Sequence, residues 1–188
     1  MLNPRLAGRY AKSLIDLSIE NNKLEEVYND MLFLHKVVKG NRDFVVLLKS
    51  PVVKGDKKRA VLDAVSTAGN LSQLTIAFGR LLVTKGRESF FPEIIEAFIN
   101  QYKAKKEIYT VTLTTAGPVS DEIKEAIVSK VKSQTAMKNI ELKTIVKEEL
   151  IGGFLLELGN TLVDASILYD LNKIKSQFMN NDFVYKLR

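Results

Sequence analysis

The sequence predicts an α+β protein overall: an N-terminal all-α bundle of about six helices, followed by a small α+β domain. Two observations predict this class. Up to about residue 105, apolar side chains recur every three to four residues, which is the period of an amphipathic helix. Beyond that point Tyr109, Val111 and Leu113 alternate with threonines, which is the period of a strand with one solvated face. The charged segment 103–107 is therefore the predicted boundary between a domain of residues 1–105 and a domain of residues 106–188.

Caps and breaks divide the first domain into helices. Pro4 fits the first turn of the first helix, because its missing N–H would be unpaired there. The large apolar residues of that helix follow at helical spacing: Leu6, Tyr10, Leu14 and Leu17. The later helices are bounded by residues that cap or interrupt helical geometry: Gly40, Ser50, Gly69, Ser72, Gly86 and Pro92. The main stripe of the fifth helix is predicted to be Leu74, Phe78 and Leu81.

The second domain is predicted to run strand, helix, three strands, helix. Ser120 caps its first helix, with acidic residues in the first turn, where the helix macrodipole favours them. Gly159-Asn160 is predicted to form a two-residue hairpin turn, because both residue types tolerate positive φ. The last helix has apolar residues at spacings of 4, 3 and 4: Ile167, Leu171, Ile174 and Phe178.

The composition argues against the commonest catalytic chemistries. The 188 residues include no Cys, which removes disulfides, thiolate nucleophiles, iron–sulfur clusters and Cys-based zinc sites. The one His, His35, lies at the edge of an apolar stripe, where a packed side chain is more typical than a catalytic base. No phosphate-binding loop motif occurs, so we expect no cofactor, no metal and no small-molecule substrate. Binding and assembly are the favoured classes.

Hydropathy limits the cellular locations that the sequence allows, and charge limits the kinds of binding partner. No run approaches the ~18–20 apolar residues of a membrane span, and the N-terminus has no signal-peptide core, so we expect a cytoplasmic protein. The net charge of +6 belongs entirely to residues 1–105, with 17 basic and 11 acidic residues, whereas residues 106–188 have 11 of each. A basic helical domain permits an alternative function, nucleic-acid binding. The positive residues are dispersed among acidic ones, however, and show no recognition-helix pattern.

The basic cluster Lys54–Arg59 lies at a predicted helix N-terminus, where the macrodipole disfavours cations by a few tenths of a kcal/mol each. Helix stability therefore does not explain the cluster. Two interpretations stay open: it contacts an acidic partner or lipid headgroups, or it is tolerated at the surface.

Several motifs in register resemble one family. Arg9–Leu14 resembles the RYAxAL opening of the delta subunit of bacterial ATP synthase, a relative of the mitochondrial oligomycin-sensitivity-conferring protein. Leu47–Pro51, with the downstream Lys57-Lys58, resembles the family's LL-x-S-P segment and its lysine, and Gly86-Arg87 resembles its Asn-x-Arg turn. The strongest similarity is the C-terminal signature of the family, here Gly152, Gly153, Phe154, Gly159, Asp164 and Ser166.

One departure from the family pattern concerns the residues after Ser166. The family often has arginine there, whereas this chain has Ile167, Leu168 and Tyr169. Any polar contact made by those arginines is therefore in doubt for this chain.

The resemblance implies a peripheral-stalk, or stator, subunit of a rotary ATP synthase. It implies that the subunit has no active site of its own and links the catalytic head to the membrane sector during proton-driven synthesis. The helical domain is implied to bind alpha subunits of the head, and the α+β domain to bind the b subunits. The implied location is peripheral, on the cytoplasmic face of the bacterial inner membrane.

The resemblance also implies where an alpha subunit binds. In the family, an amphipathic N-terminal helix of alpha lies in a groove that involves the first and fifth helices. The corresponding residues here are Ala7, Tyr10, Ala11, Leu14, Ile76, Ala77, Arg80 and Val83. Small residues among them are expected to let the partner helix come close. Exposed apolar residues of the last helix, such as Leu168 and Met179, are the expected contacts for b.

Overall fold

The structure is a computed structural model that describes residues 4–134, 139–159 and 161–179. The chain divides between Lys105 and Lys106 into two compact units. The first is helical and the second combines helices with a sheet, so the predicted α+β fold class is confirmed.

Six α-helices and a short 3-10 turn form the helical unit in the part of residues 1–105 that is described. They are α1 (Pro4–Glu20), α2 (Leu24–Gly40), α3 (Arg42–Lys49), α4 (Gly55–Ala68), α5 (Gln73–Thr84), the turn Glu88–Phe90 and α6 (Phe91–Lys105). The α6 helix is buried along most of its length and packs against α1 and α2, while α4 packs against α5. The predicted cap at Ser72 is confirmed, since its Oγ accepts a hydrogen bond from the Thr75 N–H at 3.3 Å.

A buried carboxylate links α5 to α2. Oδ2 of Asp30 accepts hydrogen bonds from the Ser72 N–H at 3.0 Å, the Ser72 hydroxyl at 2.6 Å and the Thr75 hydroxyl at 2.7 Å. The negative charge thus lies at the positive end of the α5 dipole, which stabilises it there. This contact fixes the start of α5 on α2.

The basic cluster Lys54–Arg59 divides into structural and exposed members. Lys58 is buried, and its ammonium donates to the Leu48 carbonyl at 2.9 Å and to Oε1 of Glu88 at 2.7 Å. Arg59, Lys54 and Lys57 are exposed, and the Arg59 guanidinium donates a hydrogen bond to the Thr84 hydroxyl at 3.3 Å. Neither interpretation from the sequence describes Lys58, which joins α3, α4 and the 3-10 turn.

The second unit is a four-stranded sheet with two helices. Its elements are β1 (Ile108–Thr115), α7 (Asp121–Gln134), β2 (Asn139–Val146), a 3-10 turn (Glu148–Leu150), β3 (Gly153–Leu158), β4 (Thr161–Ser166) and α8 (Ile167–Met179). The strand order is β2-β1-β3-β4, with β1 parallel to β2 and antiparallel to β3. Val111 and Leu113 of the interior strand β1 form the centre of this core. The threonine face of β1 is only partly solvated as predicted, because Thr114 is buried where Thr110 is exposed.

The hairpin between β3 and β4 follows the prediction as far as it is described. Leu158 pairs with Thr161, which leaves a two-residue turn, and Gly159 has φ +57°. Asn160 lies outside the described residues.

Four residues of the family signature form one junction between β3, β4 and α8: Gly152, Gly153, Asp164 and Ser166. The Gly152 carbonyl accepts a hydrogen bond from the Ile167 N–H at 3.1 Å. Gly153, whose φ is +76°, pairs with Ser166 across the two strands. The Ser166 N–H donates to Oδ1 of Asp164 at 2.9 Å, and its Oγ accepts from the Tyr169 N–H at 3.1 Å, so Ser166 caps α8. The signature therefore fixes the start of α8, and the glycine pair is a close backbone approach rather than a phosphate loop.

Candidate partner-binding surface on helices α1 and α5

Three of the four α1 residues that are predicted to contact a partner are buried within the helical unit. The buried face of α1 consists mostly of small residues: Ala7, Ala11, Leu14, Ile15 and Ser18. Ala7, Ala11 and Leu14 are all buried, and Ala11 has no exposed surface, so these three side chains are not on the accessible surface of the unit. Small side chains instead let α6 approach α1 closely, and Nε2 of Gln101 on α6 donates to the Gly8 carbonyl at 3.0 Å.

A second stripe of α1 lies outside the core. Leu6 and Tyr10 are half-buried, Ser13 is exposed, and Leu17 is 46% exposed. These residues recur at i, i+4, i+7 and i+11, which places them on one side of the helix. Of the four apolar residues noted at helical spacing on α1, only Leu14 is therefore buried.

The α5 helix also keeps apolar residues outside the core. Val83, a predicted partner contact, is buried, while Leu81, a predicted core residue, is 45% exposed. Ala77 is exposed one turn before Leu81, and Ile76 is half-buried. The side chain of Arg80 is exposed and its Nε donates to Oδ1 of Asp63 on α4 at 2.9 Å.

One aromatic contact joins α1 to the buried side of α5. The ring of Tyr10 lies edge-on to the ring of Phe78 on α5, with centroids 6.5 Å apart and an angle of 66° between the planes. We call the residues around this contact the α1/α5 surface: Leu6, Tyr10, Ser13 and Leu17 on α1, with Ile76, Ala77, Arg80 and Leu81 on α5. Of the eight predicted residues, the structure therefore leaves Tyr10, Ile76, Ala77 and Arg80 accessible.

An open cavity of about 530 Å³ lies at the amino-terminal end of this surface. It is lined by Arg5, Leu6, Arg9, Tyr10, Ser13 and Arg87. Arg87 reaches it because Gly86 takes φ +62° after α5 and ends the helix with two hydrogen bonds. The Arg87 N–H donates to the Leu82 carbonyl at 2.8 Å and the Gly86 N–H to the Val83 carbonyl at 3.0 Å, a pattern that favours glycine at this position.

The candidates for other chemistry are few. His35 is half-buried, as predicted, and burial together with the nearby charges of Lys39 and Lys103 lowers the pKa of its imidazole. Within the described ranges there is no cluster of three or more acidic or His side chains that could hold a metal ion. No helix among the residues described is both long and apolar enough to cross a membrane.

These features define a class of protein: a two-unit binding protein whose helical unit presents an apolar surface beside an arginine-lined cavity. The comparisons with known proteins identify its family. A family model described as ATP synthase delta (OSCP) subunit matches residues 6–178, and the chain belongs to this family. The resemblance found from the motifs is thereby confirmed, and the chain has the role of this family in the peripheral stalk of ATP synthase.

Relatives and a solved structure support the assignment over nearly the whole chain. ATP synthase subunit delta of Cytophaga hutchinsonii is 38% identical, covering 95% of this chain and 96% of its own length. The chloroplastic ATP synthase delta chain of Chlamydomonas reinhardtii is 36% identical over 89% of this chain and 77% of its own. A chain of the Toxoplasma gondii mitochondrial ATP synthase hexamer is 25% identical with a TM-score of 0.70, covering 93% of this chain and 97% of that one.

Proposed function

We propose that this chain is a non-catalytic stator subunit that links the catalytic head of a rotary ATP synthase to its membrane sector. The helical unit binds the amphipathic N-terminal helix of an alpha subunit on the α1/α5 surface. The α+β unit binds the b subunits, and the subunit is attached peripherally at the cytoplasmic face of the bacterial inner membrane. The observation that carries this proposal is the pair of apolar stripes on α1 and α5, two helices joined by the contact of Tyr10 with Phe78.

The spacing of the α1 stripe suits a helical partner. An amphipathic helix binds by laying its apolar row into a groove, and helices that pack side by side meet along rows in which spacings of four and three residues alternate. Leu6, Tyr10, Ser13 and Leu17 have this spacing, and Ala77 and Leu81 continue the apolar surface on α5. Contiguous exposed apolar residues of this kind mark interaction sites.

Replacing Ala77 with glutamate is expected to weaken the binding of an alpha N-terminal peptide at least about tenfold, because the partner would have to desolvate a carboxylate. Ala77 is exposed in the middle of α5, so the helical unit is expected to stay folded. The measurement is a calorimetric titration of the full chain with the N-terminal peptide of its own organism's alpha subunit, with circular dichroism as the check on folding.

The matched control is Ala64→Glu, which places the same charge on an exposed position of α4 outside the α1/α5 surface. It is expected to bind the peptide as the unaltered chain does. Equal affinity of the Ala77→Glu variant and the control would reject this surface as the alpha site. Glutamate at Ala11 could not serve, since a charge at that fully buried position would unfold the bundle.

The candidate b-subunit contact is the apolar stripe of α8. Leu171 and Ile174 are half exposed and Phe178 is 82% exposed, so the stripe lies outside the core of the described unit. Its spacings of 4 and 3 residues are those of a coiled-coil seam, which suits a helical partner. Leu168 is half-buried, and the side chain of Met179 lies outside the described residues, so the stripe replaces these two as the proposed contact.

Replacing Leu171 with aspartate is expected to release the b subunits while alpha and beta are retained, because only the α8 stripe is altered. Asn172→Asp adds the same side chain one position away, off the stripe, and is the control. The assay is the pull-down of the tagged chain from its own membranes, with detection of alpha, beta and b. Recovery of b with Leu171→Asp equal to that with Asn172→Asp would rule out the stripe as the contact. If the unaltered chain recovers none of these subunits, the stator role itself is wrong.

A further inference from the structure

We propose that the arginine-lined cavity formed by Arg5, Arg9 and Arg87 binds acidic side chains of the partner helix and so sets the direction in which that helix lies on the α1/α5 surface. This inference rests on the proposed function, because it assigns the polar part of the same binding surface. Its ligand is a carboxylate of a polypeptide, presented beside an apolar row.

Helix α1 and the turn after α5 place the three arginines around one cavity. Arg5 and Arg9 are four residues apart on α1, so they lie on the same side of that helix. Arg87 comes from the end of α5, where the positive φ of Gly86 turns the chain toward α1. Leu6 and Tyr10 line the same cavity, so its cationic wall is continuous with the apolar stripe.

The cavity is positively charged and not neutralised within the described part of the chain. No hydrogen bond or ion pair joins the side chains of Arg5, Arg9 or Arg87 to another described residue. Two other cations of this unit are paired with carboxylates, Lys58 with Glu88 and Arg80 with Asp63. Three arginines that line one open cavity concentrate positive charge there, so binding of an anion is favoured, and a carboxylate matches the planar donor geometry of a guanidinium group.

The charge pattern along α1 favours an acidic peptide over nucleic acid. The row Arg5, Arg9, Lys12, Asp16 and Glu20 follows one flank of the exposed stripe. It is positive in the first half of the helix and negative in the second. A polyanion along α1 would meet Asp16 and Glu20, whereas a helix with one acidic end and a neutral or basic other end complements the whole row in one direction only.

The test compares the full chain with the variant Arg5→Gln/Arg9→Gln/Arg87→Gln, in which all three altered positions are exposed and the fold is expected to be kept. The probes are the alpha N-terminal peptide and the same peptide with each Asp and Glu changed to Asn and Gln. At about 50 mM NaCl we expect the variant to bind the acidic peptide at least about tenfold more weakly, because three charges near a carboxylate strengthen binding at low salt. The amide peptide should bind the unaltered chain and the variant alike.

The control variant is Arg42→Gln, an exposed arginine on α3 that does not line the cavity. If the triple variant binds the acidic peptide as tightly as the control while Ala77→Glu does not, the cavity proposal is overturned and the proposed function stands. If the unaltered chain binds neither peptide, both fail. Arginine-dependent binding of duplex DNA at about 150 mM NaCl, without binding of the acidic peptide, would overturn the proposal in favour of nucleic acid.

Discussion

Replacing Lys58 with methionine is expected to destabilise the helical unit by about 3–5 kcal/mol at neutral pH, which is typical of removing one partner of a buried ion pair. The ammonium group is the described partner of Oε1 of Glu88 at 2.7 Å and of the Leu48 carbonyl at 2.9 Å. Methionine retains most of the buried stem, so the loss reports the charge rather than a cavity. The Glu88 carboxylate, whose Oε2 is already buried without a hydrogen bond, would be left without its cation.

The measurement is hydrogen exchange of the α4 amides under native conditions, because it follows the helical unit separately from the second unit. Lys57→Met is the matched control, since Lys57 is the exposed neighbour of Lys58 on the same helix, and it is expected to change stability by less than about 0.5 kcal/mol. The double variant Lys58→Met/Glu88→Leu removes both charges and is expected to be more stable than Lys58→Met alone. Equal stability of Lys58→Met and Lys57→Met would contradict the assigned ion pair.

The role of Lys58 illustrates what the sequence alone does not contain. A run of basic residues predicts a solvated or partner-binding surface, and Lys54 and Lys57 conform to that expectation. Lys58 differs because its partners are Leu48 and Glu88, which are separated from it by 10 and 30 residues along the chain. No local pattern distinguishes it from its neighbours.

Local sequence rules predict the bounds of the helices and strands well, but they do not predict which side of a helix is buried. Caps and breaks depend on residues within one turn, so Pro4, Ser72 and Gly86 were sufficient to place helix ends. Which side of α1 is buried depends instead on α6. The α6 helix packs against α1 and buries large side chains such as Phe98, so close packing favours small side chains on α1.

The same dependence on neighbouring helices explains why the candidate site is predicted only in part. Half of the predicted partner residues were small or apolar positions that the domain itself buries. Leu81 lies on the predicted main stripe of the fifth helix, where large apolar residues usually form the core, yet the structure leaves it 45% exposed. A signal was available, since α1 has two apolar stripes and a single packing surface can bury only one of them. The cavity is harder to predict from the sequence. The Gly86-Arg87 pair indicates a turn after α5, but only the three-dimensional arrangement of α1 and α5 shows that Arg87 lines a cavity with residues of α1.

Replacing Gly153 with alanine is expected to destabilise the α+β unit by about 2–5 kcal/mol, because two independent effects add. Gly153 has φ +76°, a left-handed conformation that costs a residue with a Cβ about 1–2 kcal/mol. A Cβ at this position would also overlap the carbonyl oxygen of Ala165 and lie 3.0 Å from Cα of Ser166. These are backbone atoms of the paired strand β4, so they cannot rotate away as a side chain could.

The functional consequence follows from what Gly153 holds in place. It pairs with Ser166, the cap of α8, so displacing β4 also displaces the helix proposed to contact the b subunits. Thermal unfolding and the membrane pull-down should therefore change together for Gly153→Ala, with b lost, while the alpha peptide still binds the helical unit. Gly117→Ala is the control, because Gly117 does not have positive φ and a Cβ there would meet no atom within 4 Å. A Gly153→Ala chain as stable as this control would show that the glycine pair does not constrain the junction, and the proposed link between the signature and α8 would then be wrong.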